Sequence, residues 1–294
     1  MSKFKIKAAR LHGEKIAKEN GFTEFPILPK KIAAENEIEV VAKPPDKEGV
    51  SGGIVFQSND VTIFYATNIE SDGYKRFTIG HELGHYFLPG HPEEIQKLAP
   101  IHLSRAGFTQ GGASIEIEAD HFSSGLLMPS PLVKNVLLNG PIGLEGVLTL
   151  AEQSQCSLTA SAIRAAECSV YPIAVIVSQK DVICYGFLSD AFKKLKPAQY
   201  PRKGSALPAS STLRFNEDIK NVQSAERACS RVSFADWFGS QPNIELDEEI
   251  IGLGSYGYTL TVLTSEKLPF DPDDDIDEEK ELTESWAPKF AYGR

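Results

Sequence analysis

The stretch RFTIGHELGHYFLPGH, from Arg76 to His91, restricts the fold more than any other part of the chain. Ser71 or Asp72 can cap a helix ahead of it, and Pro89 and Gly90 end that helix. At about 100° per residue, His81 and His85 fall roughly 40° apart and Glu82 stands beside them. Ile79, Leu83 and Tyr86 lie on another face and suffice to pack the helix into a core, so the polar trio is surplus to packing. Two readings are open for it. One is a solvated helix face. The other is a metal centre, in which two neutral imidazoles bind one Zn²⁺ and the glutamate takes a proton from the water that the ion activates.

A second stretch, SIEIEADHFSSGLLMP, bears on that choice. If Ser114 opens a helix that ends at Pro129, Glu116 and Asp120 share a face while Glu118 points nearly opposite. Glu116 is then the better third ligand. Asp120 is placed to accept the second ring N–H of a ligand histidine, which fixes its tautomer. The bland reading of the pair is an acidic helix start facing solvent, where carboxylates favour the positive end of the dipole. Gly80 and Gly84 form a stripe beside the histidine face that would let a carboxylate-bearing helix come close. His91, His102 and His121 are expected in surface or structural roles, with His91 beyond the helix end and His102 in an unassigned region.

GHELGHYF read together with EIEADHFSSGLLMP resembles the ImmA/IrrE family of zinc-dependent metallo-endopeptidases. The resemblance implies one Zn²⁺ per chain, with His81, His85 and Glu116 as ligands, Glu82 as general base and Asp120 supporting a ligand. It implies an α+β fold with a thermolysin-like (gluzincin) minimal metallopeptidase domain. It also implies protein substrates such as helix-turn-helix repressors, in stress-response, mobile-element or toxin–antitoxin settings. The competing reading is a non-catalytic regulatory or toxin–antitoxin binding protein with a structural zinc site.

Around the motifs, 5–20 reads as a helix stopped by Gly21, a short helix follows Pro29, and IEVVAK reads as a strand. GGIVFQ and VTIFYAT read as a hairpin joined through Ser58, Asn59 and Asp60, and an extended substrate is expected along its free edge. LAEQSQCSLTASAIR looks like a helix-turn-helix, but 130–170 hold more acidic than basic residues, so it reads as scaffold and not as a phosphate binder. PIAVIVS, DVICYGFL and ELDEEIIGLGSYGYTLTVLT suggest a separate α/β unit. The expected division is a metallopeptidase domain at 1–130, a helical helix-turn-helix-like extension at 131–169, a C-terminal α/β domain at 170–268 and an acidic flexible tail at 269–294.

With 294 residues and a formal net charge of -10, the chain can form more than one compact unit and gives no electrostatic reason to bind nucleic acid. The start MSKFKIKAARLHGEKIAKENGF has no apolar core followed by small residues, and no apolar run reaches membrane length. Cys156, Cys168, Cys184 and Cys229 form no CxxC pair and read as reduced thiols. The expected compartment is the cytoplasm, with no membrane partner.

Overall fold

The computed structural model describes residues 3–44, 49–57, 60–68, 71–105 and 114–268. Ser58 and Asn59 of the expected hairpin turn and the acidic tail lie outside these. The described residues form a mixed α+β fold in two compact units, one made of 3–132 with 152–157, the other of 133–151 with 158–268. No helix among them is long and apolar enough to cross a membrane. None of the four cysteines is joined in a disulfide.

In the first unit, α1 (Lys3–Glu19) and α2 (Pro29–Glu35) precede β1 (Glu39–Lys43), β2 (Val50–Gln57) and β3 (Asp60–Ala66). Then come α3 (Asp72–Phe87), α4 (His91–Leu98), β4 (Ile101–Arg105) and α5 (Ser114–Leu127). Pro29 opens α2 at its first turn, where its missing N–H costs nothing. The sheet runs β1-β3-β2-β4; β1 and β3 are parallel and the other pairs antiparallel. Both hairpin strands are flanked on each side, so the expected free edge along GGIVFQ or VTIFYAT does not exist. The free edges are those of β1 and β4.

The core of this unit lies between α3 and its neighbours. Ile54 and Ile63 of the sheet, Ile79 and Leu83 of α3, and Phe122 and Leu126 of α5 are all buried there, with Ala9, Ile16 and Ala17 of α1. Burying each large side chain contributes on the order of 1.5–3 kcal/mol. Gly52 lets α3 approach β2, because a Cβ there would stand 2.4 Å from the Thr78 methyl.

The tightest crossing in the unit is that of α1 on α5. A Cβ on Gly13 would lie 2.1 Å from the Phe122 carbonyl oxygen, and one on Gly125 would lie 2.1 Å from that of Arg10. Backbone, unlike a side-chain tip, cannot step aside. Gly125→Val should therefore drive the helices apart and lower the thermal midpoint by an amount matching about 3 kcal/mol or more, as measured by circular dichroism. An unchanged midpoint would show that the crossing is not needed.

The second unit contains most of α6 (Ser130–Asn139) and α7 (Gly143–Ser154), all of α8 (Leu158–Cys168), and the strands β5 (Ile173–Gln179), β6 (Val182–Leu188), β7 (Arg227–Ser233), β8 (Glu245–Gly252) and β9 (Thr259–Thr264). The sheet order is β6-β5-β9-β8-β7 and every pair is antiparallel, so the unit expected to be α/β is an antiparallel sheet with helices, an α+β arrangement. Short connections between β5 and β6 and between β8 and β9 permit only antiparallel pairing. Phe192, Phe234, Trp237 and Phe238 fill the core against β5 and β9.

Candidate metal centre

Ser71 caps α3, accepting from the Tyr74 backbone N–H at 3.3 Å, with Asp72 in the first turn to favour the dipole. From Thr78 to His85 the helix is buried on every side. His81 is 6% exposed and both Glu82 and His85 are 0% exposed, which removes the solvated-face reading. The glycine stripe meets α5: a Cβ on Gly80 would touch the Ser123 hydroxyl at 2.5 Å, and one on Gly84 would lie 3.1 Å from Ala119 Cα. Gly84→Leu should lift α5 from α3 and weaken metal binding roughly 10–100-fold, comparable with loss of a ligand's supporting partner. Competition with a chromophoric chelator measures this, and intact affinity would count against the packing argument.

Through this contact α5 brings its carboxylates to the histidines. His81 Nε2 lies 3.1 Å from His85 Nε2 and 3.5 Å from Glu116 Oε2, while His85 Nε2 lies 3.4 Å from Glu116 Oε1. Two ligands of one ion bound tetrahedrally at about 2.1 Å would stand about 3.4 Å apart, so the two imidazole nitrogens and the Glu116 carboxylate are spaced as ligands of such a site. On the far side of its ring, His81 Nδ1 lies 2.8 Å from Asp120 Oδ1.

His102 joins the group, with Nε2 3.1 Å from Glu116 Oε1, in ion-pair range but outside good hydrogen-bond geometry. His81, His85, His102 and Glu116 thus form a set able to hold a metal ion, their ligand atoms within 4.8 Å of one another. The expected surface or structural role for His102 is therefore corrected. It sits on β4 opposite Ile54 of β2, on the face that packs against α3. His91 is buried too, as the first residue of α4, and its Nδ1 lies 3.2 Å from His85 Nδ1. His121 is not in the group.

The electrostatics favour positive charge at this point. Burial pulls the His81 pKa down, but hydrogen bonds to Asp120 and Glu116 outweigh it and leave the pKa well above the ordinary value. Burial, helped by the neighbouring His81 charge, pushes His85 well below its ordinary value. Burial would raise Glu116, yet His102 and His81 hold it well below the usual carboxylate range. Burial raises Glu82 against the pull of His81, His102 and the nearby Ser104, and no hydrogen bond of good geometry reaches either carboxylate oxygen among the described residues. A buried carboxylate left so is costly unless the site receives a group for it to contact. The donor set therefore fits a divalent cation with an adjacent polar reactant.

Residues 33–165 match the family model of the IrrE N-terminal-like domain, Peptidase_M78. No curated protein matches the chain. Among solved structures, a Mycobacterium tuberculosis transcriptional regulator is similar with a TM-score of 0.56 and 13% identity, over 88% of this chain and 76% of that one. At that identity the likeness speaks for the fold alone.

Proposed function

We infer, since residues 33–165 belong to the ImmA/IrrE family of peptidase domains, that the protein is a zinc-dependent endopeptidase acting on a protein substrate. The observation that supports it most is the pairing of two features: three converging ligand side chains at tetrahedral spacing, and beside them the buried Glu82 carboxylate, which no hydrogen bond of good geometry reaches. His81, His85 and Glu116 would hold the ion, and Asp120 would accept the Nδ1–H of His81, so that Nε2 is left bare for the metal. Zinc, when bound, supplies a Lewis acid that polarises the scissile carbonyl and acidifies water. Glu82 takes the proton of the attacking water and passes it to the departing amine.

The sheet beside α3 and the ligand-bearing α5 accord with a thermolysin-like (gluzincin) arrangement, which we take as part of this reading. An extended peptide is then best accommodated along the free edge of β4, where backbone hydrogen bonds tolerate many sequences. The substrate we favour is a helix-turn-helix repressor or an antitoxin, and the domain division given above, with a helix-turn-helix-like extension serving as scaffold, belongs to the same reading.

A second reading is favoured by His102. If it binds the ion as a fourth protein ligand, coordination closes and zinc is structural. His102→Ala separates the two. A closed site should lose zinc affinity and drop from four protein ligands to three by X-ray absorption, whereas an open site should keep both its affinity and three ligands. For activity itself, the test is a proteomic comparison of cells expressing the intact protein and Glu82→Gln. A protein cleaved only by the former supports the endopeptidase and names its substrate; identical proteomes would sink it.

A further inference from the structure

Zinc binding through Nε2 of a neutral imidazole leaves the proton on Nδ1, and ligand histidines nearly always give that proton to an acceptor. For His81 the acceptor is Asp120. His85 has no carboxylate at Nδ1; it has the Nδ1 of His91, at 3.2 Å. Two Nδ1 atoms so close cannot both carry hydrogen. Since His85 must carry it to coordinate through Nε2, His91 must be bare at Nδ1 and hold its own proton on Nε2. That nitrogen looks toward Glu118, with Oε2 at 3.6 Å, in ion-pair range and just beyond hydrogen-bond length. Glu118 is itself held by the Ser114 hydroxyl, which donates to Oε1 at 2.5 Å, and by Lys5 at 3.7 Å.

We propose that His91 is a positioning residue of the metal centre: a neutral Nε2–H imidazole that accepts a hydrogen bond from the Nδ1–H of His85 and turns its own Nε2–H toward Glu118, a relay of hydrogen bonds in which each proton stays on its own ring. The proposal rests on the zinc reading given above. His91 cannot reach the same ion, because His85 presents to it the side of the ring away from the metal-facing Nε2. Gly90, in the left-handed region at φ 87°, caps α4 and turns the chain so that His91 comes back beneath α3. The relay also gives Glu118 a task. It stands about 200° around α5 from Glu116, and an interposed imidazole bridges that distance. Glu116 then faces the Nε2 atoms of His81, His85 and His102, while Asp120 stands at the outer nitrogen of His81 and Glu118 at that of His91.

The test uses the full chain, loaded with zinc and labelled with ¹⁵N at histidine. Long-range ¹H–¹⁵N correlations should show His91 neutral, protonated at Nε2 and bare at Nδ1; a proton on its Nδ1, or an imidazolium, overturns the relay. In parallel, zinc affinity is read by competition with a chromophoric chelator. His91→Leu should bind roughly 10–100-fold more weakly, the usual cost of removing a ligand's supporting partner. His91→Asn, whose amide oxygen can occupy the place of Nδ1, should recover most of that loss. Unchanged affinity in His91→Leu, or equal losses in both variants, overturns the proposal and leaves His91 a packing residue. A wild-type protein that takes up no zinc would remove the metallopeptidase reading, and the relay with it. Zinc uptake that is indifferent to His91 removes the relay alone.

Discussion

Glu82→Gln should reduce peptide-bond cleavage by roughly 10²–10⁴-fold, the range for loss of a positioned general base, while zinc content stays at one per chain. The amide has the same shape and cannot accept the proton. Glu82 is fully buried between α3 and its neighbours and is not one of the clustered ligand atoms, so the centre should assemble without its charge. Replacing a fully buried carboxylate also removes a desolvation cost, so the zinc-free variant should unfold at the same or a higher temperature than zinc-free wild type. Turnover of the substrate found by proteomics, metal analysis and thermal melts check the three parts. A variant that keeps full turnover refutes the role of Glu82; one that loses zinc shows that the residue is structural.

His85→Ala should lose the metal. His85 is the one histidine whose Nε2 is close to both His81 and Glu116 while its Nδ1 is engaged by His91. The loss should exceed the roughly 10–100-fold that follows removal of a supporting partner, because a donor atom itself is gone. Stability supplies a second readout. With zinc at about 100 times its dissociation constant, binding adds about 2.7 kcal/mol to wild type, and a chelator should lower the melting midpoint by on the order of 10 °C. The midpoint of His85→Ala should not respond to the chelator. A chelator-sensitive His85→Ala would place the ion elsewhere.

Much of this centre is legible in local patterns, because a helix puts residues four apart on one face. His81, Glu82 and His85 are related in that way, as are Glu116 and Asp120, and Ser71, Pro89, Ser114 and Pro129 bound their helices. The residues missed depend on pairings across the fold. In β4 the usual alternation is inverted: Ser104 is buried and His102 stands in the metal group, while Ile101 and Leu103 are exposed, so a reading by hydrophobicity points the strand the wrong way. α4 has eight residues and one buried aliphatic side chain, too little for a periodic signal. Glu118 is correctly placed on the opposite side of α5 from Glu116, but its use depends on His91, which only the Gly90 turn brings near. The full burial of α3 from Thr78 to His85 is not legible in hydrophobicity, because the residues buried there include two histidines and a glutamate.

The stretch similar to known peptidases begins at residue 33, whereas the crossing through Gly13 and Gly125 ties the ligand helix to the first seventeen-residue helix, which lies wholly before it. Evolutionary similarity and mechanical support therefore have different borders. A shortened chain cut to the recognisable part would bare Phe122 and Leu126 to water and leave Glu116, Glu118 and Asp120 on an unbraced helix. Such a fragment should be insoluble or unable to hold its metal. A minimal catalytic version of the protein has to be drawn from the contacts of α5, and it begins no later than α1.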